Sequence, residues 1–125
     1  KYNLREVTKD YIFKNADFIT FHTPLNDSTK NILNKKSLSI MKPSSFVINT
    51  ARAGIINQND LKWALKNEII AGAAIDVYDI EPVQDKDLTM ISSLINTPHI
   101  GGNAIEAVEA MGQSAINNIV NHFNS

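Results

Sequence analysis

Ser45-Phe46-Val47-Ile48-Asn49-Thr50-Ala51-Arg52-Ala53-Gly54 is the stretch whose reading decides the fold. Its first half is a short apolar run without helical spacing, which predicts a buried strand over residues 45–49. Its second half opens a loop over residues 50–55. Beyond that loop, Leu61, Ala64 and Leu65 recur at i, i+3 and i+4, so residues 59–66 are expected to be helical with one buried face. Residues 69–77 then turn to Ile, Ala and Val with one Gly, the composition of a central parallel strand. Strand, helix and strand in that order make a crossover unit, and such units build parallel sheets.

The alternation continues in both directions. Residues 8–15 predict a short helix with Thr8 as its N-cap, and residues 17–21 a buried strand stopped by Pro24. A turn-rich segment around Asn26-Asp27-Ser28-Thr29 leads to a helix near residues 35–41, closed by Pro43. Residues 79–93 read as an irregular loop with room for one helical turn, and residues 94–96 as a short strand ended by Pro98. Residues 104–123 form the longest helix, in which Ile105, Val108, Ala115, Ile116, Ile119, Val120 and Phe123 recur near helical spacing. The fold class is α/β. Four strands with crossovers make a partial Rossmann-type, doubly wound parallel sheet that ends in a long helix.

Composition narrows the function. The 125 residues have room for one domain, and 43% hydrophobic with 20% charged residues is an ordinary globular balance. A net charge of −1 and scattered Lys and Arg argue against a nucleic-acid partner. No apolar run approaches the length of about 20 residues that spans a bilayer, and Lys1-Tyr2-Asn3-Leu4 has no signal-peptide core. The absence of cysteine removes thiol nucleophiles and Cys-ligated metals, and no metal site is expected. These features fit a cytoplasmic location.

Ligands of doubly wound sheets bind beyond the carboxyl ends of the strands. Those ends carry His22-Thr23-Pro24, Thr50-Ala51-Arg52, Asp76 with Glu81-Pro82, and Thr97-Pro98-His99-Ile100-Gly101-Gly102. One arginine, two carboxylates and His99 thus converge on a single edge, with His22 at the end of the first strand beside them. Taken singly, each has a plain reading. Arg52 is a solvated loop cation, Asp76 a turn cap, Glu81 a surface charge before proline, and His99 a loop histidine. Functionally, Arg52 presents a fork that matches a carboxylate, and Gly101 and Gly102 let a ligand approach the backbone. His22 also reads as a plain strand terminator, and His122 suits the negative end of the last helix.

Six strings in this order resemble the D-isomer-specific 2-hydroxyacid dehydrogenases, a family that includes phosphoglycerate dehydrogenases, D-lactate dehydrogenases and hydroxypyruvate reductases. They are His22-Thr23-Pro24-Leu25, Met41-Lys42-Pro43, Asn49-Thr50-Ala51-Arg52-Ala53-Gly54, Ala73-Ala74-Ile75-Asp76-Val77-Tyr78, Glu81-Pro82 and Thr97-Pro98-His99-Ile100-Gly101-Gly102. The resemblance implies hydride transfer between NAD and a small 2-oxo or 2-hydroxy acid. It puts Arg52, Glu81 and His99 on catalytic positions. Arg52 is then the carboxylate anchor, His99 the proton donor to the carbonyl oxygen, and Glu81 the partner that orients His99. It puts Thr23, Pro24, Thr50, Ala51, Arg52, Asp76, His99, Gly101 and Gly102 along the cofactor, with Asp76 on the nicotinamide carboxamide. One branch of the same fold consists of corepressors that sense NAD without catalysis, and these residues do not separate the two branches.

No GxGxxG turn occurs among the five glycines. The pyrophosphate cradle and the carboxylate that reads the adenosine ribose are therefore not in this sequence, and NADP stays open beside NAD. The chain reads as the carboxy-terminal portion of a cofactor domain, without the first βαβ unit or a substrate domain. Alone it is expected to be an inactive fragment whose exposed half-sheet leaves an apolar edge needing cover. It would then form a homodimer or require a complementing chain.

Overall fold

A computed structural model describes residues 4–124, so the reading of Lys1-Tyr2-Asn3 lies outside the described residues. The elements in chain order are α1 (Lys9–Asn15), β1 (Phe18–Phe21), α2 (Lys35–Leu38), β2 (Phe46–Asn49), α3 (Gln58–Lys66), β3 (Gly72–Ile75), α4 (Lys86–Thr89), β4 (Leu94–Asn96) and α5 (Ile105–Asn124). A single 3₁₀ turn spans Ala53–Ile55. The strands form one sheet in the order β1-β2-β3-β4, every neighbouring pair parallel. The α/β reading of the sequence and its half of a doubly wound sheet are what the chain adopts.

Local chemistry sets the boundaries. The Thr8 hydroxyl accepts the Tyr11 N–H at 3.2 Å and starts α1, while Asn57 accepts the Asp60 N–H at 3.0 Å and starts α3. Helix α2 is shorter than its periodicity predicts. Its last turn tightens, with Ile40 N–H to Ser37 O and Met41 N–H to Leu38 O, both i to i−3 bonds. Strand β3 is also shorter than residues 69–77. It can pair only as far as its four-residue and three-residue neighbours extend. Ile69 before it instead returns its N–H to Ala64 O at the end of α3.

One face of the sheet carries the core. Ile19, Phe21, Val47, Ala73, Ile75 and Leu94 pack there with Leu38, Leu61, Leu65 and Leu88 from the helices. Partly buried Lys62 and Asp85 tie α3 to α4 at 2.6 Å. The opposite face is apolar yet open: Phe18 is 69%, Phe46 40% and Ile95 71% exposed. Phe18 and Phe46 stack there at 5.4 Å between ring centroids. Gly72 makes room for this pair, because a Cβ at that position would sit 3.1 Å from the Phe46 ring and 2.8 Å from Ser93 O. The long helix forms as its periodicity predicts, and among the described residues it buries none of its side chains.

Candidate active site at the carboxyl ends of the strands

The main chain leaves β2 at Asn49, which is 1% exposed despite its amide side chain. A polar group on the core face must find partners, and Asn49 finds them in the loop that follows. Its Nδ2 donates to Arg52 O at 3.0 Å, and its Oδ1 accepts the Ala51 N–H at 3.1 Å. The loop so shaped presents Arg52 to solvent, with Nη1 donating to Ala51 O at 2.7 Å. No salt bridge joins Arg52 to Glu81 or His99 among the described residues. The guanidinium keeps most of its donors for a ligand.

Asp76 follows β3 and is buried. Its Oδ1 accepts the Thr97 hydroxyl and the Ile100 N–H, the latter at 2.9 Å, and its Oδ2 accepts the Gly101 N–H at 2.8 Å. Burial alone would raise its pKa. The Thr97, Ile100 and Gly101 donors, with the nearby His99, outweigh that and hold the carboxyl below its ordinary range.

His99 sits in this latched loop with φ of 55°, a left-handed conformation that costs a side-chain-bearing residue about 1–2 kcal/mol. Its Nδ1 donates to Glu81 Oε2 at 2.7 Å. The Tyr78 N–H holds the other carboxylate oxygen at 3.0 Å. The His99 bond first, then the Tyr78 N–H, keeps the Glu81 carboxyl below its usual value. Burial, followed by the charges of Asp76 and Glu81, pushes the Tyr78 phenol up, so it stays a donor to Thr97 O at 3.0 Å. Tyr78, Glu81, Pro82, Val83, Pro98 and His99 line a cavity of about 350 Å³. A larger cavity of about 680 Å³ lies at the amino ends of the strands, beside Pro43, Ala71 and Ser93. The titratable cluster converges at the carboxyl ends, the side on which ligands of such sheets bind.

The remaining residues of interest are looser. Thr23, Pro24 and Thr50 are exposed and Ala51 is half-buried, all past the ends of β1 and β2. His22 turns its ring back along β1, with Nε2 2.8 Å from Thr20 Oγ1. Gly101 and Gly102 are exposed, and a Cβ at Gly102 would meet nothing within 4 Å. Site geometry thus brings Glu81, His99 and Asp76 together and leaves Arg52 on the neighbouring loop. Reading by residue chemistry passes over Asn49, Tyr78 and Thr97. The signal for Asn49 is its inward register, two residues after buried Val47.

The family model described as D-isomer specific 2-hydroxyacid dehydrogenase, NAD binding domain, matches residues 1–101. The chain belongs to this family. A glyoxylate reductase of Thermococcus litoralis is 37% identical over 109 residues, covering 87% of this chain and 33% of that protein. Among solved structures, a D-isomer specific 2-hydroxyacid dehydrogenase of Lactobacillus delbrueckii in its NAD-complexed form superposes with a TM-score of 0.86. It shares 27% identity over 95% of this chain and 40% of its own. An acyclic imino acid reductase in complex with NADPH and D-Arg superposes at 0.89, with 31% identity over 99% of this chain and 41% of its own. The chain spans between 18% and 40% of the length of the curated 2-hydroxyacid dehydrogenase relatives it matches. Among the described residues, no helix of this 2-hydroxyacid dehydrogenase domain is long and apolar enough to cross a membrane.

Proposed function

We propose that this chain supplies the proton-handling half of an NAD-dependent dehydrogenase acting on small D-2-hydroxy acids and their 2-oxo counterparts. The observation that carries the reading is the 2.7 Å bond between His99 and Glu81 at the carboxyl edge of the sheet. With Nδ1 committed to Glu81, Nε2 is the ring nitrogen left to hold a proton for the carbonyl oxygen of a 2-oxo acid, and to take it back in the oxidative direction. Arg52, exposed on the adjacent loop, is the anchor for the substrate carboxylate. Glu81 orients the imidazole and balances its charge.

The donor set fits a nicotinamide cofactor. An ionised carboxylate has about four lone-pair sites, and Asp76 uses three of them on the 97–101 loop. The fourth suits one amide N–H of a carboxamide. Thr23, Pro24, Thr50, Ala51, Arg52, His99, Gly101 and Gly102 complete the proposed cofactor surface. NAD(H), when bound, supplies or accepts the hydride at substrate C2. A protein relative seen with NADPH keeps NADP within the reading. A cytoplasmic location agrees with the cysteine-free composition.

The open apolar sheet face supports assembly as a homodimer or with a complementing chain. The reading is tested by following NADH absorbance over a panel of 2-oxo acids. The sample is the polypeptide encoded by the whole reading frame containing this chain. Reduction that disappears in His99→Ala is expected; no cofactor-dependent reduction of any 2-oxo acid would overturn it. This 125-residue chain alone is expected to bind NAD weakly and to turn nothing over.

A further inference from the structure

Asp76 is buried and spends its carboxylate within the chain itself. The Thr97 hydroxyl and the Ile100 and Gly101 N–H groups, which it accepts, flank His99 on both sides, and all lie 21 to 25 residues away in sequence. Between them, His99 holds a left-handed backbone that needs outside support, and its ring reaches Glu81 from that position. We propose that Asp76 is a positioning residue whose carboxylate latches the 97–101 loop and so sets His99 against Glu81. This rests on the reading of His99 and Glu81 as the proton-handling pair and adds a role for Asp76 that needs no cofactor.

The geometry gives the latch two further properties. Asp76 accepts three donors through two oxygens, so an amide at the same position loses one acceptor and sets an N–H against a loop N–H. Gly101 also sits so close that a Cβ there would lie 2.9 Å from Asp76 Oδ2. Gly101 does not have a positive φ, so an alanine there strains only this contact. The latch can therefore be disturbed from either side. Because the cofactor amide is proposed to use the remaining lone pair of the same carboxylate, cofactor occupancy and the placement of His99 share one group.

NMR of the 125-residue chain without cofactor tests the latch with two variants, Asp76→Asn and Gly101→Ala. Two quantities are read: amide hydrogen exchange at Ile100 and Gly101, and the Glu81 side-chain carboxyl titration. The latch predicts faster exchange at the 100–101 amides, by about tenfold or more, with Val47 and Ala73 unchanged. It also predicts that the Glu81 midpoint moves up toward its ordinary value as His99 drifts away. A merely structural role for Asp76 would speed exchange throughout and leave Glu81 in place, and that result overturns the proposal. So does wild-type behaviour in both variants. If Asp76→Asn does not fold, Gly101→Ala, at an exposed position, decides alone. Neither readout uses turnover, so failure of the latch and failure of the dehydrogenase reading are separable.

Discussion

The Asp76 N–H donates to Asn49 O at 3.1 Å, joining the ends of the two central strands one bond beyond their ladder. On one side of this junction the Asn49 side chain ties down the Arg52 loop. On the other, the Asp76 carboxylate ties down the His99 loop. The spacing between the proposed substrate anchor and the proposed proton donor is therefore set by two buried polar side chains on a rigid sheet. Strand ends are good mounts for such groups because the sheet fixes them while the loops stay free to meet a ligand.

Asn49→Ala removes both bonds to the Arg52 loop and leaves the Arg52 carbonyl and the half-buried Ala51 N–H without these partners. It is expected to lower stability by about 1–3 kcal/mol, read from the urea midpoint at constant slope. In an active protein, the KM for the 2-oxo acid should rise more than kcat falls, because substrate anchoring suffers before proton transfer.

Arg52 is exposed, so Arg52→Lys should leave the stability within about 0.5 kcal/mol of wild type in thermal melts. Catalysis should not survive so well. Losing the planar fork on the substrate carboxylate is expected to reduce kcat/KM on the order of 100-fold in steady-state assays. Wild-type activity in the Arg52→Lys variant would remove Arg52 from the proposed site.

Acid should loosen the site in a defined direction. The Glu81, Asp76 and Asp85 carboxyls all lie below their ordinary values in the folded chain. For Glu81 the leading cause is the His99 bond, and for Asp85 the Lys62 bond. For Asp76 the loop donors overcome the upward push of burial. Groups with lowered folded values stabilise fully above their unfolded values of about 3.9 to 4.3, and that contribution is lost as pH falls through the lower folded ones. Urea midpoints measured from about pH 6 downward should hold until roughly that range and then fall. Glu81→Gln should make the fall shallower.

The open sheet face predicts association. Ile95 is 71% exposed on the edge strand β4, where a lysine would interrupt the apolar surface and blunt the edge. Ile95→Lys should shift the chain toward monomer in light scattering while leaving the thermal midpoint nearly unchanged. If wild type is already monomeric at high concentration, the homodimer reading fails.

Much of this was legible in the residues themselves. The runs at 17–21 and 45–49 read as strands, and Thr8 marks a helix start where a side-chain oxygen can meet a free N–H group. The pattern starts α3 only at residue 59, and the structure alone shows Asn57 as its cap. Proline and glycine marked the ends. The convergence of Arg52, Asp76, Glu81 and His99 on one edge followed from strand direction alone, since parallel strands end on the same side. Periodicity overran at residues 35–41 and 69–77, because local pattern does not know how far a neighbour's ladder reaches or where a last turn tightens.

What the sequence by itself determined is the parallel α/β class of the sheet, the edge on which Arg52, Asp76, Glu81 and His99 gather, and the family to which the chain belongs. These depend on local alternation and on short strings, which survive without coordinates. Tertiary structure alone decided how the groups engage. It turned Asp76 into the acceptor for a loop some two dozen residues away, gave His99 its left-handed backbone and its bond to Glu81, and kept Arg52 apart from both. The reason is physical: a buried carboxylate must be satisfied by whatever donors the fold brings within reach, and those donors are distant in sequence.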